Sequence, residues 1–172
     1  GDRYSPLSQI TAANVAQLSG SKVTAGGFVL SLRSDGTVWG WGANSGGVLG
    51  DQPSSFVPVQ IHGLPPGIVQ VAAGVAHAVA VTADGSAWTW GSNAHGALGY
   101  PTPGGDSSPT PHQVPGLSGV RQAAAGQNFT VALRSNGEVW TWGANNFGQL
   151  GDGTHIDRRT PARNLAGYGI TQ

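Results

Sequence analysis

Five histidines, six tryptophans, eight acidic and eight basic side chains are the groups of this 172-residue chain on which chemistry could be built. His77 stands in Val71-Ala-Ala-Gly-Val-Ala-His77-Ala-Val-Ala-Val81, and Phe28 and Phe129 hold the matching place in two similar runs. A position that takes either His or Phe calls for a flat ring, not for a ligand nitrogen or a general base. His62, His95, His112 and His155 fall at unmatched loop positions and form no short metal-ligand pair. Asp35 and Asp84 precede glycines, and Asn136 replaces them in a third copy, so no catalytic carboxylate is required there. Asp152 and Asp157 could hold a cation weakly, but Gly-Asp-Gly-Thr is more simply a turn cap. Glu138, the one glutamate, is expected to be exposed beside a hairpin. No Ser/His/Asp order, phosphate-binding loop or HExxH motif is present. The expectation is no catalytic, cofactor-binding or metal-binding residue, and no cofactor. Asn128-Phe129-Thr130 fits a three-residue glycosylation sequon.

The tryptophans come in pairs, Trp39/Trp41, Trp88/Trp90 and Trp140/Trp142. Residues at i and i+2 share one face of a strand, so each pair would form one apolar surface. A sugar-binding platform needs one such pair; three pairs in phase predict packing. Together with His77, Phe28 and Phe129 they are the expected structural core. Arg158 and Arg159 form the densest basic step and are the candidate protein contact.

Those residues need a scaffold, and the repeat supplies it. LRSDGTVWGWGANSGGVLG (32–50) returns as VTADGSAWTWGSNAHGALG (81–99) and as LRSNGEVWTWGANNFGQLG (133–151). The turn glycines Gly36, Gly85 and Gly137 are 49 and 52 residues apart, and Pro6, Pro58, Pro111 and Pro161 are spaced 52, 53 and 50. A period near fifty fits one propeller blade, a small antiparallel sheet. Four strands are expected per repeat. The first are Val23–Gly26, Val69–Gly74 and Val120–Gly126; the second are Val29–Leu32, Ala78–Thr82 and Thr130–Leu133. The third is the Trp-x-Trp-Gly run, and the fourth includes Pro58–Ile61 and Pro111–Val114. Asp35-Gly36, Asp84-Gly85 and Asn136-Gly137 suit the positive φ angles of a two-residue hairpin. Ile10–Leu18 is the one stretch compatible with a short helix.

Composition agrees with this all-β reading. The 29 glycines mark turns, and six tryptophans bury enough area to offset the ordering entropy that keeps a low-complexity chain unfolded. Charged residues make up 9% and cancel to a net charge of zero, so nothing draws the chain to nucleic acid or acidic lipid. Zero cysteines exclude a disulfide scaffold and a thiol nucleophile. No apolar run is long enough for membrane insertion. One lysine against seven arginines, with abundant Ala and Gly, points to a bacterial coding bias, and the lack of Cys is compatible with a secreted or cell-surface location.

Over residues 20–172 the chain resembles the regulator of chromosome condensation repeat family. The resemblance rests on the small-small-Gly-x-x-His signature at Val71–Val81, the Asp-Gly-x-x-Trp-x-Trp-Gly-x-Asn run, and Gly-Gln-Leu-Gly-Asp-Gly-Thr at 148–154. It implies a β-propeller, usually seven-bladed, that serves as a scaffold for protein contacts. The first and third repeats depart from it, with Phe where the signature has His. Residues 1–22 are expected to be an N-terminal segment with the outer strand of a preceding blade. Residues 23–70, 71–122 and 123–172 are three repeats, the last ending in mid-repeat; with no Met, Gly1 is read as the end of a processed or cut product. The expected function is a non-catalytic protein-interaction or structural module, an open arc or part of a larger propeller, with a protein partner or self-association. Guanine-nucleotide exchange on a small GTPase is the family-based alternative. A carbohydrate-binding or quinoprotein-like propeller enzyme is another, since RYSPLSQITAANVAQL resembles the start of quinoprotein dehydrogenases.

Overall fold

Residues 22–102 and 106–164 are described by the structure, a computed structural model. The expected helix at Ile10–Leu18, the strand of a preceding blade within residues 1–21, and the end of the third repeat beyond Asn164 lie outside the described residues.

Twelve strands form three four-stranded antiparallel sheets, each a meander in chain order. The first holds β1 (Lys22–Ala25), β2 (Phe28–Leu32), β3 (Val38–Gly42) and β4 (Ser55–Gln60). The second holds β5 (Ile68–Ala73), β6 (His77–Thr82), β7 (Ala87–Ser92) and β8 (Ser107–Gln113). The third holds β9 (Val120–Ala125), β10 (Phe129–Arg134), β11 (Val139–Gly143) and β12 (Arg158–Asn164). The sheets stack as successive blades of an open arc.

The hairpins between second and third strands are not the expected two-residue turns. Gly36 donates to the Arg33 carbonyl at 3.0 Å, and Arg33 donates to the Thr37 carbonyl at 2.9 Å, which makes a three-residue loop. Only the glycine takes positive φ, 82° at Gly36. Asp35 instead turns its carboxylate onto the Thr37 amide at 2.9 Å and the Thr37 hydroxyl at 2.7 Å. That local bond competes successfully with the left-handed conformation a two-residue turn would demand of Asp.

The fourth strands begin earlier than the sequence suggests, at Ser55 and Ser107, because each crosses a bulge. Gly40 pairs with Val59 and Gly42 with Ser55, while Thr89 pairs with His112 and Gly91 with Ser108. Pro58, Pro111 and Pro161 occupy these outer bulged strands, where a missing N–H costs no ladder bond.

The core lies between blades. Phe28, Leu30 and Leu32 of β2 form one cluster with Ala78, Ala80 and Trp90 of the second blade. Val79 and Val81 of β6 form another with Ala132 and Trp142 of the third. Larger side chains on one face of each blade therefore pack on small ones of the next. Every residue of β6 is buried, since its sheet has a neighbour on both sides, whereas β10 alternates between buried and half-buried. Near the inner edge the backbones almost touch: the Gly27 amide donates to the Gly74 carbonyl at 3.0 Å. A Cβ on Gly74 would lie 2.5 Å from the Gly126 carbonyl oxygen. Only glycine fits there.

Candidate functional site

The flat-ring position proves to be chemically richer than its His/Phe exchange suggests. His77 is 1% exposed, and its Nε2 lies 3.0 Å from the Thr130 hydroxyl of the third blade. Thr130 donates its own proton to the Ala97 carbonyl at 2.9 Å, so it accepts from His77 Nε2–H. Trp142 donates to the same carbonyl through Nε1 at 2.8 Å. Four groups from two blades thus close one buried hydrogen-bond chain. Burial depresses the His77 pKa to about 4, so the ring is neutral and serves as a donor, not as a base. Where Phe28 takes the ring position, the next blade offers Ala78 in place of Thr130, and both lie in one apolar cluster. The nitrogen matters after all, as an interface donor matched to the blade it faces.

The paired tryptophans divide their work. Trp90 and Trp142 are fully buried, and Trp90 Nε1 donates to the Val48 carbonyl of the first blade at 2.9 Å, repeating the Trp142 contact. Trp39, Trp88 and Trp140 are half-buried, with Trp88 and Trp140 packed against the two core clusters. The Arg33 guanidinium sits 3.9 Å from the Trp39 ring centre and that of Arg134 5.7 Å from Trp140. Phe28 is buried, while Phe129 and Trp41 are half-buried on the two outer faces of the arc. Glu138 is not free in solvent: it pairs with Arg134 at 2.7 Å and Arg163 at 3.2 Å.

One residue type that chemistry-bearing patterns missed organises the loops between third and fourth strands. Asn44, Asn93 and Asn145 each follow the Trp-Gly step, and their in-phase recurrence was the available signal. Asn93 Oδ1 accepts from the Leu98 amide at 3.0 Å, and its Nδ2 donates to the Tyr100 carbonyl at 2.9 Å. Asn44 does the same with Leu49 and Gly50, and also donates to the Gln52 carbonyl. Asn145 accepts from Leu150 at 2.9 Å and points its amide at Asp152 Oδ1 and the Thr154 and Ile156 carbonyls. Thr130 and Ala97 were missed as well, because a lone hydroxyl and a backbone carbonyl carry no sequence motif.

The third loop carries the densest charge. Arg158 Nε meets Asp152 Oδ2 at 2.6 Å, and this guanidinium, with the Thr154 hydroxyl, holds the Asp152 carboxyl well below the usual carboxylate range. Asp157 meets His95 of the second blade at 2.6 Å and also accepts from the Asn145 amide, which lower its pKa too. Both carboxylates are therefore engaged in tying the loop, as the turn-cap reading expects. Arg158 is spent within the loop, whereas Arg159 is exposed beside it. Phe147 and Ile156 project from the same tied loop, 90% and 72% exposed. In the sequon, Asn128 is half-buried and the Thr130 hydroxyl is already used in the clamp.

The model of the Regulator of chromosome condensation (RCC1) repeat matches residues 35–81, 84–133 and 136–171. The Arabidopsis thaliana ultraviolet-B receptor UVR8 is 35% identical over 171 residues, covering 94% of this chain and 37% of the receptor. The human E3 ubiquitin-protein ligase HERC2 is 42% identical over 130 residues, 73% of this chain and 3% of the ligase. Among solved structures, human WBSCR16 superposes with TM-score 0.73 at 26% identity, over 88% of this chain and 41% of that one. Saccharomyces cerevisiae Prp20p gives TM-score 0.75 at 23% identity, over 85% and 38%, a likeness of fold. The chain thus spans well under half the length of these relatives, all of them eukaryotic; the expectation of a bacterial source rests on composition alone. With three consecutive family matches on three observed blades, the chain belongs to the Regulator of chromosome condensation (RCC1) repeat family.

Proposed function

We propose that this chain is a non-catalytic protein-interaction scaffold, an arc of RCC1-type blades whose loop face holds a protein partner. The carrying observation is a division of labour within each repeat. The same positions supply the ring, the indole and the loop asparagine in every copy; the asparagines tie the three loops, and Trp90 and Trp142 hold blade to blade. What the tied loops carry outward differs: Ser45-Gly46 in the first, His95 in the second, Phe147 and Ile156 in the third, with Arg159 beside it at the start of β12. A constant frame that presents variable side chains suits recognition, and rigid loops lose little entropy on binding. The RCC1-type neighbours support a protein as the ligand class, since the yeast structures concern binding of Prp20p to Gsp1p and histones and of Kap60 to yeast RCC1.

The exposed Ile156 on the third loop and Arg159 at the start of β12 make the test. Affinity capture followed by chemical cross-linking should recover a protein attached through residues 154–159. The double variant Ile156→Asp, Arg159→Glu should melt like the parent and lose that partner by at least tenfold. Retention of the same partner by the folded double variant, or the absence of any cross-link to this loop, would overturn the loop-face reading.

A further inference from the structure

We infer that the seam between the second and third blades, on the loop face, recognises an acidic peptide segment: His95 and Arg159 take a carboxylate, and Ile156 takes an apolar residue beside it. This rests on the loop-face reading and gives that partner its chemistry. Backbone strain is the first sign. His95 is the one non-glycine among the described residues with positive φ, 59°, and Gly46 holds the matching place in the first repeat at 72°. A side chain kept where glycine is the unstrained choice points to work done by that side chain.

The surroundings of His95 define that work. Asp157 Oδ2 lies 2.6 Å from His95 Nδ1, and Asp157 Oδ1 accepts from the Asn145 amide at 2.8 Å. The bond from His95 comes first in holding the Asp157 carboxyl below the usual carboxylate range, so an ionised carboxylate accepts Nδ1–H. Nε2 is then the nitrogen left for a ligand, on a side chain that is 38% exposed. Arg159 runs alongside: a Cβ on Gly96 would meet its Cα and Cγ, and its charge reaches Asp157 as that of His95 does. The exposed Arg159 makes no ion pair among the described residues. Both oxygens of Asp157 are engaged, so the seam turns its two basic groups outward, with the exposed Ile156 next to Asp157. At the seam of the first and second blades, Gly46, Gly47 and Pro109 hold the matching places and carry no charge. Of these two seams, only the second is equipped for an anion. The charged groups that face His95 are Asp157 and Arg159; Arg158 is bound to Asp152, and His155 Nδ1 lies 3.3 Å from the Asn146 carbonyl. A carboxylate held on Nε2–H favours the imidazolium, so binding takes up a proton and weakens as pH rises.

An array of immobilised octapeptides, in which net charge and apolar content vary independently, tests the ligand class with the 172-residue chain as probe. Peptides that combine glutamates with Leu or Ile should bind above neutral and basic ones. The best of them, titrated in solution by calorimetry, should bind about tenfold more tightly at pH 6 than at pH 8 and take up protons. The same peptide with glutamine for glutamate should lose binding. His95→Asn tolerates the left-handed backbone and keeps an amide donor for Asp157, but has no Nε2. It should melt like the parent, bind about tenfold more weakly at pH 6 and lose the pH dependence. Should His95→Asn fail to fold, His95→Gly, the residue of the first repeat, replaces it. Arg159→Gln should weaken binding at both pH values. Absence of acidic-peptide binding, equal binding of the glutamine peptide, or unchanged pH-dependent binding by His95→Asn overturns the proposal. So does displacement of the peptide by an equal concentration of inorganic phosphate, which would make the seam a phosphate site. A protein captured through residues 154–159 whose affinity ignores both pH and His95→Asn would leave the loop-face reading standing and remove this one.

Discussion

His77 shows how a single side chain is fixed by what lies across an interface. Its Nε2–H needs Thr130, and Thr130 in turn needs Ala97 for its own proton. Removing one partner leaves a buried polar atom unsatisfied, at about 1–3 kcal/mol. Thr130→Ala and His77→Phe should therefore each destabilise by about that amount. The double variant rebuilds the Phe28–Ala78 arrangement and should cost clearly less than the sum of the two, as a double-mutant cycle by urea denaturation will read. The same residue sets a pH dependence. Its folded pKa, about 4, lies below the 6.5 of a free imidazole, so the unfolded chain binds more protons between those values. Stability contributed by neutral His77 is fully present above pH 6.5 and is lost as pH falls toward 4, up to about 3 kcal/mol. Equilibrium unfolding at pH 7 and pH 5 should show this loss in the parent and not in His77→Phe. Below pH 4 the depressed carboxyls of Asp152 and Asp157 take over: their contribution is present above the ordinary carboxylate pKa and disappears on acidification.

At the scale of elements, the loop asparagines and inner glycines set the tolerances. Asn145→Ala removes an acceptor for the Leu150 amide and the donor that gathers Asp152, Thr154 and Ile156. It should cost about 2–3 kcal/mol and raise proteolysis within residues 146–157, read by limited digestion. Gly74→Ala should be far worse than Gly36→Ala. The first drives a methyl onto the Gly126 carbonyl and the His77 ring; the second meets open space and bears only the strain of φ 82°, about 1 kcal/mol. Thermal melts will separate the two. Much of this was legible from the repeat itself: the period gave the blades, and the Gly-after-Asp or Gly-after-Asn steps gave the hairpin sites. Their loop length was not legible, because an Asp side chain that caps the Thr37 amide turns a two-residue signal into a three-residue loop. The outer strands were mis-bounded for a similar reason, since a bulge around Pro58 or Pro111 breaks the period-two pattern by which strands are recognised. The tryptophan pairs were read as equivalent because strand alternation puts them on one face. Depth along the strand separates them, and alternation says nothing about depth.

For the whole molecule, the arrangement of the core predicts how stability is distributed. Each sheet alone has two apolar faces and cannot cover either, so the cohesion of the arc resides in its junctions. Among the described residues the second blade takes part in two junctions and the first and third in one each. Hydrogen exchange should therefore be slowest in β6, every residue of which is buried, and faster in β10, which alternates between buried and half-buried. A scaffold whose strength lies in blade-to-blade contacts is stabilised by whatever supplies the next blade, and association and folding then draw on one set of side chains.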